Sequence, residues 1–136
     1  LFENIDRGYI FLFDKEHEAW DNKYQWIQPA HLTDKNDQYG ISIKKHQYFS
    51  DFILAREIFN CASVQALPNE ANGFKNMLLK QGVQSIICVP MMLEGHVVGF
   101  LGLDSIVGEV EWSEQTETFL KVIANIFSNT IGYSRK

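Results

Sequence analysis

VQSIICVPMM (residues 83–92), the pair Glu94-Gly95 and VVGFLGLDS (residues 97–105) together decide how this chain folds. The first run is apolar almost throughout and too short for a helix, so it reads as a strand buried on both faces. Glu94-Gly95 is turn chemistry, and the run that follows is again strand-like, with Gly99 and Gly102 spaced along it. In a strand interior those glycines permit close packing, expected here to be of a helix on the sheet. Trp112-Ser113 then opens an amphipathic helix. Ser113 is suited to cap it, Glu114 and Glu117 complement its dipole, and Phe119, Leu120, Ile123, Phe127 and Ile131 make its apolar stripe. A helix over 114–134 extends ~32 Å, longer than a small core needs, and Gly132 marks either its end or a weak point within it.

Working back toward the N-terminus, Tyr9-Ile10-Phe11-Leu12-Phe13 reads as a central strand. Residues 19–27 (AWDNKYQWI) read as a second strand hairpinned to the first, with Trp20, Asn22, Tyr24 and Trp26 on one face. From Gln28 to Ser42, Pro29, Thr33, Asp34, Asn36, Asp37 and Gly40 mark a long irregular connection, a length more often functional than idle. Phe49, Phe52, Ile53 and Ala55 fall near helical spacing within 46–55, and a short strand follows at Ile58-Phe59-Asn60-Cys61. Phe74, Met77 and Leu78, at i, i+3 and i+4, predict a helix over 70–80 with Gly82 just past its end.

Length and composition bound what this chain does. Its 136 residues, 46% hydrophobic and 21% charged, predict one folded domain with one core and exclude intrinsic disorder. The net charge of −5 argues against nucleic-acid binding, since Lys44-Lys45-His46 is the only basic cluster and phosphate neutralisation needs more. No apolar run is long enough to span a membrane. The chain opens Leu1-Phe2-Glu3 with no initiator Met and no leader, so a piece of a longer protein is expected. Cys61 and Cys88 sit in no motif and fit a reducing, cytoplasmic setting.

Chemistry for catalysis is thin. His17, His31, His46 and His96 have neither i, i+4 pairing nor a Cys partner at zinc spacing, so no metal site is expected. No nucleophile elbow or phosphate-cradling loop is present. Cys88, among Ile86, Ile87 and Val89, reads as a small buried hydrophobe whose thiol pKa is raised. Asp104 is expected to end its strand by bonding nearby backbone, and Glu109 and Glu111 to be solvated loop charges. Tyr24, Trp26, Phe49, Phe52 and Phe74 have two readings, as core or as the wall of an aromatic cavity, and both can hold for different rings.

Asp6-Arg7-Gly8-Tyr9-Ile10-Phe11-Leu12-Phe13, Tyr24-Gln25-Trp26, Gln81-Gly82-Val83-Gln84-Ser85, Val89-Pro90, Val98-Gly99-Phe100-Leu101-Gly102 and Trp112-Ser113 together resemble the GAF family. The subgroup is the one found in bacterial signalling proteins. Gln25 departs from it, standing where the subgroup often has Glu, and the first helix expected before Asp6 is largely missing.

The resemblance implies an α+β fold, a GAF/PAS-like central antiparallel sheet of five or six strands with helices on both faces. Terminal helices would cover one face; the two middle helices and the 28–45 loop would roof a small-molecule cavity on the other. It implies a cytoplasmic regulatory sensor, not itself an enzyme, that relays ligand state through its C-terminal helix to an output domain in the same chain. A diguanylate cyclase, with cyclic-di-GMP signalling, or a histidine kinase is the expected kind of output. Paired terminal helices would make it a homodimer. The candidate ligand-lining residues are Tyr24, Trp26, Phe49, Phe52, Phe74 and Cys88; no cofactor is specified. The cyclic-nucleotide signature of some members is absent. A methionine-sulfoxide-reductase-like enzyme and a dimerisation module with a degenerate pocket are the alternatives.

Overall fold

The computed structural model describes residues 5–16, 18–28 and 40–134. His17, His31 and the loop positions Pro29, Thr33, Asp34, Asn36 and Asp37 lie outside the described residues.

The strands are β1 (Arg7–Asp14), β2 (Ala19–Ile27), β3 (Gly40–Ser42), β4 (Phe59–Cys61), β5 (Ser85–Leu93) and β6 (His96–Ser105). They form one six-stranded sheet in the order β3-β2-β1-β6-β5-β4, antiparallel at every pairing. The helices are α1 (Gln47–Leu54), α2 (Asn72–Lys80) and α3 (Glu114–Ser134), giving the α+β arrangement expected from the sequence. The one correction to the strand list is β3, in a stretch read as irregular. Ile41 is its sole apolar anchor, buried opposite Trp20.

The sheet carries a core on each face, not the single core expected. On one, Phe49 and Ile53 of α1 and Phe74 and Leu78 of α2 pack over Phe11, Ile86, Cys88 and Phe100. On the other, Leu120 and Ala124 of α3 pack over Ile87, Val89, Met91 and Leu101. Trp20 locks the first core by donating its indole N–H to Ser50 Oγ at 3.1 Å, tying β2 to α1.

The structure redraws the terminal helix. Ser113 caps it as expected, its Oγ accepting the Thr116 N–H at 3.2 Å. Its buried seam, however, is Thr116, Leu120, Ala124, Ser128 and Gly132, spaced at i, i+4. Phe119 and Phe127 of the predicted stripe are exposed, as are Val122 and Ile126. Small residues win the inward positions because α3 lies close along β5. A Cβ on Gly132 would stand 2.6 Å from Leu93 Cδ2, so this glycine is a packing notch within the helix.

The close neighbours of Gly99 and Gly102 are likewise not a helix but β1. A Cβ on Gly99 would lie 2.1 Å from the Phe11 carbonyl oxygen, and one on Gly102 2.3 Å from Tyr9 Cε2.

Candidate functional site

Side chains of one sheet face alternate along each strand, so register decides which residues meet beneath α1 and α2. Pairing of β1 with β6 aligns Arg7 with Asp104, Tyr9 with Gly102 and Phe11 with Phe100, all on that face. On β2 the register shifts: Phe11 pairs with Asn22 but Ile10 with Tyr24, leaving Lys23 as an extra residue in a bulge. The expected single face of Trp20, Asn22, Tyr24 and Trp26 is therefore corrected. Trp20, Asn22 and Gln25 face the helices α1 and α2; Tyr24 and Trp26 face the α3 side, 62% and 52% exposed.

Between sheet and helices lies a cavity of about 40 Å³, room for a few waters by the usual allowance per molecule. Of the six candidate residues, Phe49, Phe74 and Cys88 line it. Phe52 does not; its ring packs on Tyr48 and Phe59 and borders a separate groove beside β4. Tyr24 and Trp26 line hollows on the opposite face, with Phe127 or Leu120 of α3. Five aromatic rings, those of Tyr9, Phe11, Phe49, Phe74 and Phe100, form part of its wall. Phe49 stacks on Phe74 with centroids 4.3 Å apart and meets Phe100 edge-on at 5.0 Å.

The polar end of the cavity consists of residues outside the six candidates. Arg7 Nε donates to both Asp104 oxygens at 3.1 Å, and its Nη2 donates to Asp104 Oδ2 at 2.8 Å and to Gln81 Oε1 at 2.9 Å. Asp104 thus does not end its strand on nearby backbone, as expected; it is fully buried and ion-paired. Burial pushes its carboxyl up, and the Arg7 contacts work against that rise. For Arg7, burial is the largest single influence and lowers the guanidinium pKa, but the hydrogen bond and charge of Asp104, with Tyr9 and Asp6, together raise it. A signal was available. Phe100, Gly102 and Asp104 share a period of two, so an inward Phe100 makes Asp104 inward as well.

Asn22 and Gln25 complete the polar side, the Asn22 amide donating to Gln25 Oε1 at 3.1 Å while Asn22 Oδ1 is buried with no partner among the described residues. The cavity's hydrogen-bonding groups are therefore the amides of Asn22, Gln25 and Gln81, the Tyr9 phenol, the Cys88 thiol and a guanidinium already neutralised by a carboxylate. That set suits small uncharged polar groups better than free anions.

Neither cysteine is activated. Burial pushes the Cys61 thiol up to about 11 and the Cys88 thiol well above its ordinary value. Burial also lifts the Tyr9 phenol. His46 is lowered, by burial and then by Lys45. Among the described residues no group of three His, Cys, Asp or Glu side chains could hold a metal ion, and no helix is long and apolar enough to cross a membrane.

This sheet, roofed on one face and closed by a terminal helix on the other, is the architecture of a sensory-domain family, and residues 4–131 match the family model described as GAF domain. The chain belongs to the GAF family. It is 28% identical over 138 residues to the methanogenesis regulatory histidine kinase FilI of Methanothrix harundinacea (strain 6Ac), covering 96% of this chain and 15% of that protein's length. Among solved structures, it is similar to a domain of a two-component sensor histidine kinase protein from Sinorhizobium meliloti 1021, with TM-score 0.73 and 16% identity over 98% of this chain and 83% of that one. The type II free methionine-R-sulfoxide reductase of Thermoplasma acidophilum superposes with TM-score 0.72 at 20% identity, covering 96% of this chain and 80% of that one. At such identities the two structures share the fold alone.

Proposed function

We propose that this domain is the regulatory, ligand-sensing part of a larger cytoplasmic signal-transduction protein, and that α3 carries its state to an output domain in the same chain. The observation that carries the reading is the cavity, with amide and guanidinium groups at one end and the Phe49–Phe74 stack over the rest. A ligand there would act by its differential affinity for two arrangements of α1 against the sheet. The similarity to a regulatory histidine kinase favours a kinase among possible outputs. Apolar exposure on α3 at Phe119, Val122, Ile126 and Phe127 supports a homodimer through terminal helices.

Native mass spectrometry of the purified chain, followed by thermal-shift screening with small uncharged polar metabolites, tests the sensory reading. Retained mass or a raised melting temperature supports it; neither, across a broad panel, counts against it. One observation favours a second reading, a dimerisation module whose pocket is filled by its own rings: the Phe49–Phe74 stack leaves little free volume. That reading predicts a dimer by light scattering and no shift with any metabolite. A reductase reading requires an activated thiolate, and both thiols are held protonated by burial. Turnover of free methionine sulfoxide, lost on Cys61→Ser or Cys88→Ser, would nonetheless establish it.

A further inference from the structure

Helix α1 ends in a common closing turn with an uncommon residue at its left-handed position. Arg56 N–H bonds the Ile53 carbonyl at 3.0 Å and Glu57 N–H bonds the Phe52 carbonyl at 2.9 Å, which closes the helix with Arg56 in the left-handed region at φ +65. That position strongly favours glycine, because a Cβ there crowds the backbone. A side chain kept at such a place invites the question of what it does. Its Nη2 donates to the Gly95 carbonyl at 2.5 Å, in the turn of the β5–β6 hairpin, 39 residues away in the chain. Two residues earlier, Leu93 fills the notch on α3 where Gly132 lacks a side chain. Phe49, on α1, lines the cavity at the other end of this series.

We propose that Arg56 is a strut: it ties the cavity's roof helix to the hairpin tip, and through Leu93 seated on Gly132 it holds the last turn of α3. A ligand pressing on Phe49 would displace α1, pull or release the hairpin, and loosen or tighten the end of α3 nearest any following domain. The mechanical link stands on the ligand-free chain, whereas its use in signalling rests on the sensory reading above.

The test is amide hydrogen exchange on the whole chain, comparing wild type with Arg56→Gly and Arg56→Gln. Arg56→Gly removes the side chain and relieves the left-handed conformation together, while Arg56→Gln removes the reach to Gly95 and keeps the strain. With β1 amides of Ile10 to Leu12 as internal reference, both variants should exchange about three- to tenfold faster at Leu93, His96 and residues 131–134. The final turn of α1 should be no less protected in Arg56→Gly than in wild type. Unchanged exchange in both variants overturns the proposal, and so does acceleration that stops at the hairpin or that occurs in Arg56→Gln alone. Neither substitution touches the cavity. A chain that binds no metabolite can therefore still show the strut, and a chain that binds one can lack it.

Discussion

Arg7 and Asp104, 97 residues apart in the chain, meet as a two-point ion pair buried between β1 and β6, and Gln81 from the end of α2 closes the group. Removing one partner leaves the other charge buried and unpaired. Arg7→Met or Asp104→Leu alone is expected to cost about 3–5 kcal/mol, whereas the two combined should recover most of that loss. Urea unfolding of the two single variants and the double variant measures the coupling; additive losses would contradict it.

Glycine replacement on β6 should show a graded response. Gly99→Ala drives a Cβ into the Phe11 backbone, which cannot move without breaking the ladder, whereas Gly102→Ala meets the Tyr9 ring, which can turn. Overpacking of a side chain costs about 1–3 kcal/mol. Gly102→Ala should fall in that range and Gly99→Ala above it, read as melting temperatures. The reverse order would contradict the geometry.

Alkaline pH should unfold this domain through its thiols. A group whose folded pKa is raised stabilises fully below its unfolded value and loses that contribution as pH climbs to the folded one. For Cys61 the window runs from its ordinary 9.0 to about 11. Cys88 and Tyr9 are raised in the same sense. The urea midpoint should therefore fall as pH rises from about 8.5 to about 11, and fall less in a Cys61→Ser, Cys88→Ser variant.

Lys23 is the extra residue of the β2 bulge. Deleting it leaves Asn22 opposite Phe11 and Tyr24 opposite Ile10, so every other side chain keeps its face. The deletion is expected to cost about 0.5–3 kcal/mol, the ordinary range for a single change. Deleting Asn22 instead leaves Trp20 opposite Phe13 but puts Lys23 opposite Phe11, on the cavity face, and should cost more because it turns an ammonium inward. Thermal unfolding followed by tryptophan fluorescence distinguishes the two.

Lys23 also marks where sequence reading fails. The hairpin at 83–105, the helices and the two central strands follow from apolar runs, turn residues and caps, which are local signals. The placement of Tyr24 and Trp26 does not, because strict alternation assumes an unbroken ladder and a bulge leaves no local trace in AWDNKYQWI. Strand β3 was hidden for a related reason, since three residues with one apolar side chain carry too little pattern. The buried Arg7–Asp104 pair needed a partner from the far end of the chain. Phe49, Phe74 and Cys88 came out beside the cavity because their elements have regular periods.

The seam of α3 inverts the usual map of mutational tolerance. Thr116, Ala124, Ser128 and Gly132 face β5, while Val122 and Ile126 face away. A scan of this helix for stability would find Val122 and Ile126 permissive, and the small seam positions as unforgiving as buried Leu120. Solubility would show the opposite ranking, improving where bulk is trimmed from the outer side. Two assays on one helix would then disagree about which residues matter, and the disagreement itself would identify the side built to sit against the sheet.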